Sequence, residues 1–312
     1  MIAIKFPRED LKDDPELAAW LAKAESRSDW KELPAFLLRQ LVHYGDEPSP
    51  YKCWYTEIQQ TDRNAQDIEH FWPKGSGKPL STAKKQMIED ELSFEFFQEE
   101  EEQPYPWLEK DHRNYRLATA LANRFTGKRD YFPLALNSPR LTTGELPWEK
   151  EVYPLLLDPA EPQDAALLMV VPNGQIEPIT AAVDDLPRSA YNDLAANWRQ
   201  DGFNYLRAKI SIHIYQLNDS GLVQLRKKKY EETMAKLEEL ERQIDSAYSG
   251  TNYLIDELKK MGAVDQALAL TARSAVEDFK FRSQHPEMIP IIDEIQSHWQ
   301  DFFDRYNSSW EL

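Results

Sequence analysis

Apolar residues recur at helical spacing in "ELAAWLAKA" (16–24) and "ELPAFLLRQLVHY" (32–44), which predicts two N-terminal helices. The pattern then changes. "YKCWYTEI" (51–58) is short, aromatic and bounded by turn-forming residues, so it reads as a strand and turn, with "DIEHFW" as its expected hairpin partner and His70 near the end. Residues 75–110 are mixed and carry the acidic run Glu99–Glu102, expected as a solvated loop. In "DHRNYRLATALANRF" (111–125) Leu117, Leu121 and Phe125 repeat every four residues, which predicts a helix ended by Gly127 and Pro133. "YPLLLDPAEPQ" and "ALLMVVPNGQIEPI" predict strands between 150 and 180, the second with a turn at Pro172–Gly174. From about 187 the chain reads as nearly all helix. Tyr230, Met234, Leu237, Ile244 and Tyr248 form one apolar face between charges. The reading is an α+β N-terminal half (1–186) and a helical C-terminal region (187–312) that suits partner docking, with the boundary near 183–187.

Composition narrows the possibilities. The 312 residues are 41% hydrophobic and 12% aromatic, enough for a sizeable core. A formal net charge of −17 disfavours non-specific nucleic-acid binding, so any such contact needs a local basic patch. Cys53 is the one cysteine, which excludes an intrachain disulfide and a cysteine-rich zinc site. With no run of ~18 apolar residues and no apolar stretch in "MIAIKFPRED", neither a membrane span nor a secretory signal is expected, and the cytoplasm is the default location.

The stretch "IEHFWPKG" (68–75) carries the most chemistry. Phosphodiester hydrolysis needs a base to take a proton from water and a cation to meet phosphate oxygens. Imidazole suits the first task, and carboxylate or amide oxygens suit a hard cation such as Mg²⁺. Glu69 and His70 are adjacent, and Asn114 and Asn123 follow nine residues apart on or near the predicted helix. Lys74, Lys78, Arg124, Lys128 and Arg129 surround them as a candidate basic patch. His112 lies two residues before Asn114 and is a further candidate. His43, His213, His285 and His298 read as packing or surface residues. "RKKK" (226–229) reads as a solvated helix face, with a nucleic-acid-binding strip as the alternative.

Order and spacing resemble the HNH, or ββα-metal, nucleases. More narrowly, the chain is similar to the HNH endonucleases found beside an ATPase in Septu-type and retron-associated phage-defence systems. Their blocks run roughly "KCxYCE", "EHFxPK", "Y-x-W-L" and "C-x-x-CN-x-x-KGxxFP". Here they read "KCWYTE" (52–57), "EHFWPK" (69–74), "YPWLEKDHRNYRL" (105–117) and "TALANRFTGKRDYFP" (119–133), and the likeness extends from about 50 to 220. The resemblance implies an α+β fold with an HNH core embedded in a mostly helical protein. It implies His70 as general base, Asn114 as the brace that orients it, Glu69 and Asn123 as ligands of Mg²⁺ or Mn²⁺, and Lys74, Arg124 and Lys128 as phosphate contacts. It also implies a partner ATPase of the ABC/AAA-like kind and a nucleic-acid substrate, DNA before RNA. The family's four zinc-binding cysteines correspond to Cys53, Thr56, Thr119 and Ala122, so no structural zinc is expected, and Tyr55 and Leu121 would hold the core by packing. The same losses suit a catalytically degenerate adaptor or inhibitor bound to the ATPase.

Overall fold

The computed structural model describes Met1, Pro15 and Ala19 and residues 51–60, 66–124, 127–245, 251–263 and 268–308. Apart from Ala19, the helices expected over 16–24 and 32–44, and His43 with them, lie outside the described residues. The rest is a mixture of helix and small antiparallel sheets, an α+β arrangement.

Strands β1 (Tyr51–Lys52) and β2 (Gln59–Gln60) pair with each other around the tight turn at 53–58. The expected pairing of this segment with "DIEHFW" is therefore corrected. Strand β3 (Gln66–His70) pairs instead with β4 (Tyr115–Thr119), in a register from Gln66 opposite Thr119 to His70 opposite Tyr115. The helix expected over 111–125 is corrected too. It resolves into a 3₁₀ turn at His112–Asn114, then β4, then the one-turn helix α2 (Ala120–Asn123), which follows α1 (Thr82–Leu92) in the chain. All five residues of β4 are buried, so the strand lacks the polar–apolar alternation by which a half-buried strand is recognised. Thr119 caps α2 by accepting from the Ala122 N–H.

The segment 53–58 lies against β4, with the Trp54 N–H on the Leu117 carbonyl at 2.9 Å. Cys53 Sγ accepts from the N–H groups of Thr56 (3.4 Å) and Thr119 (3.3 Å). Cys53, Thr56, Thr119 and Ala122 thus form one chain of contacts around a fully buried thiol. Tyr55 stacks on Tyr215 with ring centroids 4.3 Å apart, while Leu121 is half-buried. The buried Glu57 forms an ion pair with the Met1 amino group (2.8 Å) and accepts from the Leu270 N–H (3.0 Å), tying this turn to the C-terminal helices.

Beyond β4, "YPLLLDP" is not a strand. Pro154 makes only an isolated bridge with Leu134, and Leu155, Leu156 and Leu157 are buried in the core. Helix α3 (Pro162–Ala165) precedes the β5 (Leu168–Val170)–β6 (Ile176–Pro178) hairpin. Its turn needs Gly174, whose φ is +88° and whose missing Cβ would lie 2.2 Å from the Val223 carbonyl. Helices α4 (Leu194–Asn197), α5 (Asp201–Ile214), α6 (Ser220–Asp245), α7 (Thr251–Met261), α8 (Ala269–Arg282) and α9 (Met288–Ser308) complete the described chain.

One apolar core runs from the segment at Cys53 to Leu217 without a break at 183–187, because Leu186, Tyr191, Trp198 and the buried face of α5 belong to it. A second core joins α6 to α9 through Leu237, Leu258, Val276, Ile292 and Trp299. The first core therefore ends at Leu217, just before α6, rather than at the compositional change near 187, and the second begins at Leu237 within that helix. Within "RKKK", Arg226 is buried, while Lys227 and Lys228 are exposed beside Glu231 and Glu232. Among the described residues no helix is long and apolar enough to cross a membrane.

Candidate functional site

Successive residues of a strand project to opposite faces. Asp67 and Glu69 therefore share one face of β3, and His70 projects from the other. α2 and the turn after it cover the Asp67–Glu69 face, where Asn123 Nδ2 donates to Asp67 Oδ2 at 3.0 Å and the Arg124 guanidinium grips both oxygens of Asp67. Asp67 escaped the sequence reading, although its place two residues before Glu69 puts it on the same face.

Glu69 is buried, with one carboxylate oxygen accepting from the Tyr55 hydroxyl. The other lies 2.6 Å from Lys128 Nζ, an ion pair without hydrogen-bond alignment. The ammonium also donates to the His70 carbonyl at 3.1 Å. Lys128, expected as a phosphate contact, has a side chain only 1% exposed and is paired with Glu69 in the interior.

His70 occupies a different setting. Its Nε2 lies 2.9 Å from the Glu109 carbonyl, which also accepts from the Tyr115 hydroxyl at 3.0 Å. A carbonyl oxygen only accepts, so Nε2 carries the proton and the basic lone pair is on Nδ1. Burial pushes the His70 pKa down to about 4; the Glu109 carbonyl and Glu69 oppose this, and Lys74 and Lys128 add to it. The ring is neutral at pH 7, as a base must be. Lys74 is held 2.6 Å from Glu109 Oε1 at the half-exposed edge of this site.

Asn114 is fully buried. Its Oδ1 accepts from the Trp72 N–H at 2.7 Å, and its Nδ2 donates to the carbonyls of Trp72 (2.9 Å) and Leu108 (3.2 Å). One carboxamide thus fixes the backbone two residues beyond His70 to the segment that supplies the Glu109 carbonyl. His112 is buried beside it. His213 is remote from this site and contacts Glu91 Oε2 at 2.5 Å.

The cation implied by the resemblance does not fit this arrangement. Glu69 and Asn123 are committed to different partners, and a divalent ion at Glu69 would meet the Lys128 ammonium. Lys128→Ala is expected to raise Mn²⁺ affinity at least about tenfold, because it removes a like charge from the carboxylate. Titration followed by the electron-spin-resonance signal of free Mn²⁺ checks this; unchanged affinity would show that the ammonium is not the obstacle.

Comparison of the chain with protein-family models, curated proteins and solved structures finds no match.

Proposed function

We propose that this protein is an HNH-type endonuclease that hydrolyses phosphodiester bonds, of DNA before RNA, as the effector of an anti-phage system with an ATPase partner. The observation that supports it best is the setting of His70. The imidazole is neutral, one tautomer is selected by the Glu109 carbonyl, and the adjoining backbone is clamped by Asn114. That arrangement suits a general base. Lys74 stands beside it as a cation for a phosphate oxygen, while Arg124, 61% exposed, is paired with Asp67 on the opposite face of β3. The motif order adds the choice of substrate and partner. The metal dependence that goes with this reading requires Lys128 to leave Glu69.

The buried Lys128–Glu69 pair also favours a second reading, in which the ammonium permanently replaces the metal and the protein is an adaptor or inhibitor of the ATPase. Incubation with supercoiled plasmid or single-stranded RNA separates the two. Mg²⁺, Mn²⁺ or EDTA is added, with and without the co-expressed ATPase. The nuclease predicts nicking that EDTA abolishes. Intact substrate in every arm, from protein that still co-purifies with the ATPase, supports the adaptor.

A further inference from the structure

A cavity of about 220 Å³ opens beside the residues that follow His70. Its walls include the aromatic planes of Trp72, Trp148 and Trp198, and guanidinium groups line it between them. Arg113 stacks over Trp148 at 4.4 Å and Arg207 over Trp198 at 4.8 Å, so much of the wall is flat and polarisable.

One feature of this wall is incomplete, its charge. The single carboxylate of Asp164 serves two guanidiniums, Arg207 in the interior and Arg199 near solvent. Arg199 contributes only its Nη1 to that bond, at 2.7 Å. Its Nε and Nη2 meet no protein acceptor among the described residues, and its side chain is 47% exposed. The site therefore offers stacking planes and a guanidinium with donors to spare.

We propose that this cavity binds a nucleotide. Its base would lie among the tryptophans, and its phosphate would lie on Arg199. Bases released from a stack are held in this way, by aromatic and guanidinium planes with hydrogen bonds at their edges. The same chemistry is presented by a free mononucleotide and by one unit of a single strand. The inference does not require His70 to act as a base.

The full-length protein is titrated with AMP and dCMP by calorimetry and by tryptophan fluorescence, beside inorganic phosphate and adenosine as partial ligands. Saturable nucleotide binding at least tenfold tighter than either partial ligand is expected. Trp148→Ala, which removes one of the planes, should weaken it at least threefold, and the half-exposed Arg199→Gln about tenfold. A single-stranded hexadeoxynucleotide that displaces the mononucleotide identifies a strand as the ligand; a failure to displace identifies a free nucleotide. Nucleotides that bind no better than phosphate, or equal binding in both variants, overturn the proposal. Plasmid cleavage without nucleotide binding would sink this inference and spare the nuclease reading, and the opposite pair of results would do the reverse.

Discussion

His70→Ala is expected to lower metal-dependent plasmid cleavage by about 100- to 10 000-fold, the usual worth of a positioned general base. The substitution removes the ring that donates to the Glu109 carbonyl but leaves the Asn114 clamp on Trp72 intact, so the fold should survive. A melting temperature within a few degrees of the parent would separate a chemical loss from an unfolded chain. The pH profile is a stricter test. A base acts when deprotonated, and the pKa of His70 is lowered to about 4. Cleavage should therefore rise with pH through about 4 and stay level from 6 to 8, unlike that of an enzyme whose histidine titrates near 6.5. The same shift has a consequence for stability. Between about pH 6.5 and 4 the unfolded chain binds the His70 proton and the folded chain does not, so stability falls as the pH drops through that window. A cleavage profile with a midpoint near 6.5, or equal cleavage by His70→Ala, would remove His70 from the role of base.

How much of this was legible in the sequence depends on the kind of signal. The C-terminal helices were readable because Tyr230 and Leu237 sit on a simple amphipathic face. The strand β4 was not. "YRLAT" is buried throughout, and the four-residue recurrence of Leu117, Leu121 and Phe125 imitates a helix across what is in fact a strand followed by a single helical turn. Only pairing with β3 reveals it, and pairing is non-local. The strand period placed Glu69 and His70 on opposite faces, but it could not say that Lys128, fifty-nine residues after Glu69, returns to neutralise that carboxylate. The boundary near 187 followed a change in composition, whereas burial continues through Tyr191, Trp198 and α5. The cavity was hidden for the same reason. Trp72, Trp148, Trp198 and Arg199 are individually unremarkable and share no spacing.

Asp164→Ala is expected to be the most destabilising single change around that cavity, at roughly 3–5 kcal/mol, the scale for breaking a buried ion pair from one side. Burial alone would raise the Asp164 carboxyl, but the charge and hydrogen bonds of Arg207, the Asp158 N–H and the nearby Arg199 outweigh it and hold its pKa below the usual carboxylate range. Arg207 has a side chain 2% exposed and lies on Trp198, so the truncation leaves a guanidinium in the interior without its counter-charge. The Asp158 N–H loses an acceptor at the same time. Asp158 itself holds Arg116 at 2.6 Å through two parallel bonds, so the damage should spread toward β4. Urea unfolding of Asp164→Ala, Arg207→Met and the double variant measures the pair directly. The double variant should be less destabilised than the two single changes combined, because removing both charges leaves none stranded. Additive losses, or a loss below about 1 kcal/mol for Asp164→Ala, would mean that the interior around Arg207 admits water and that this pair does not hold the cavity wall in place.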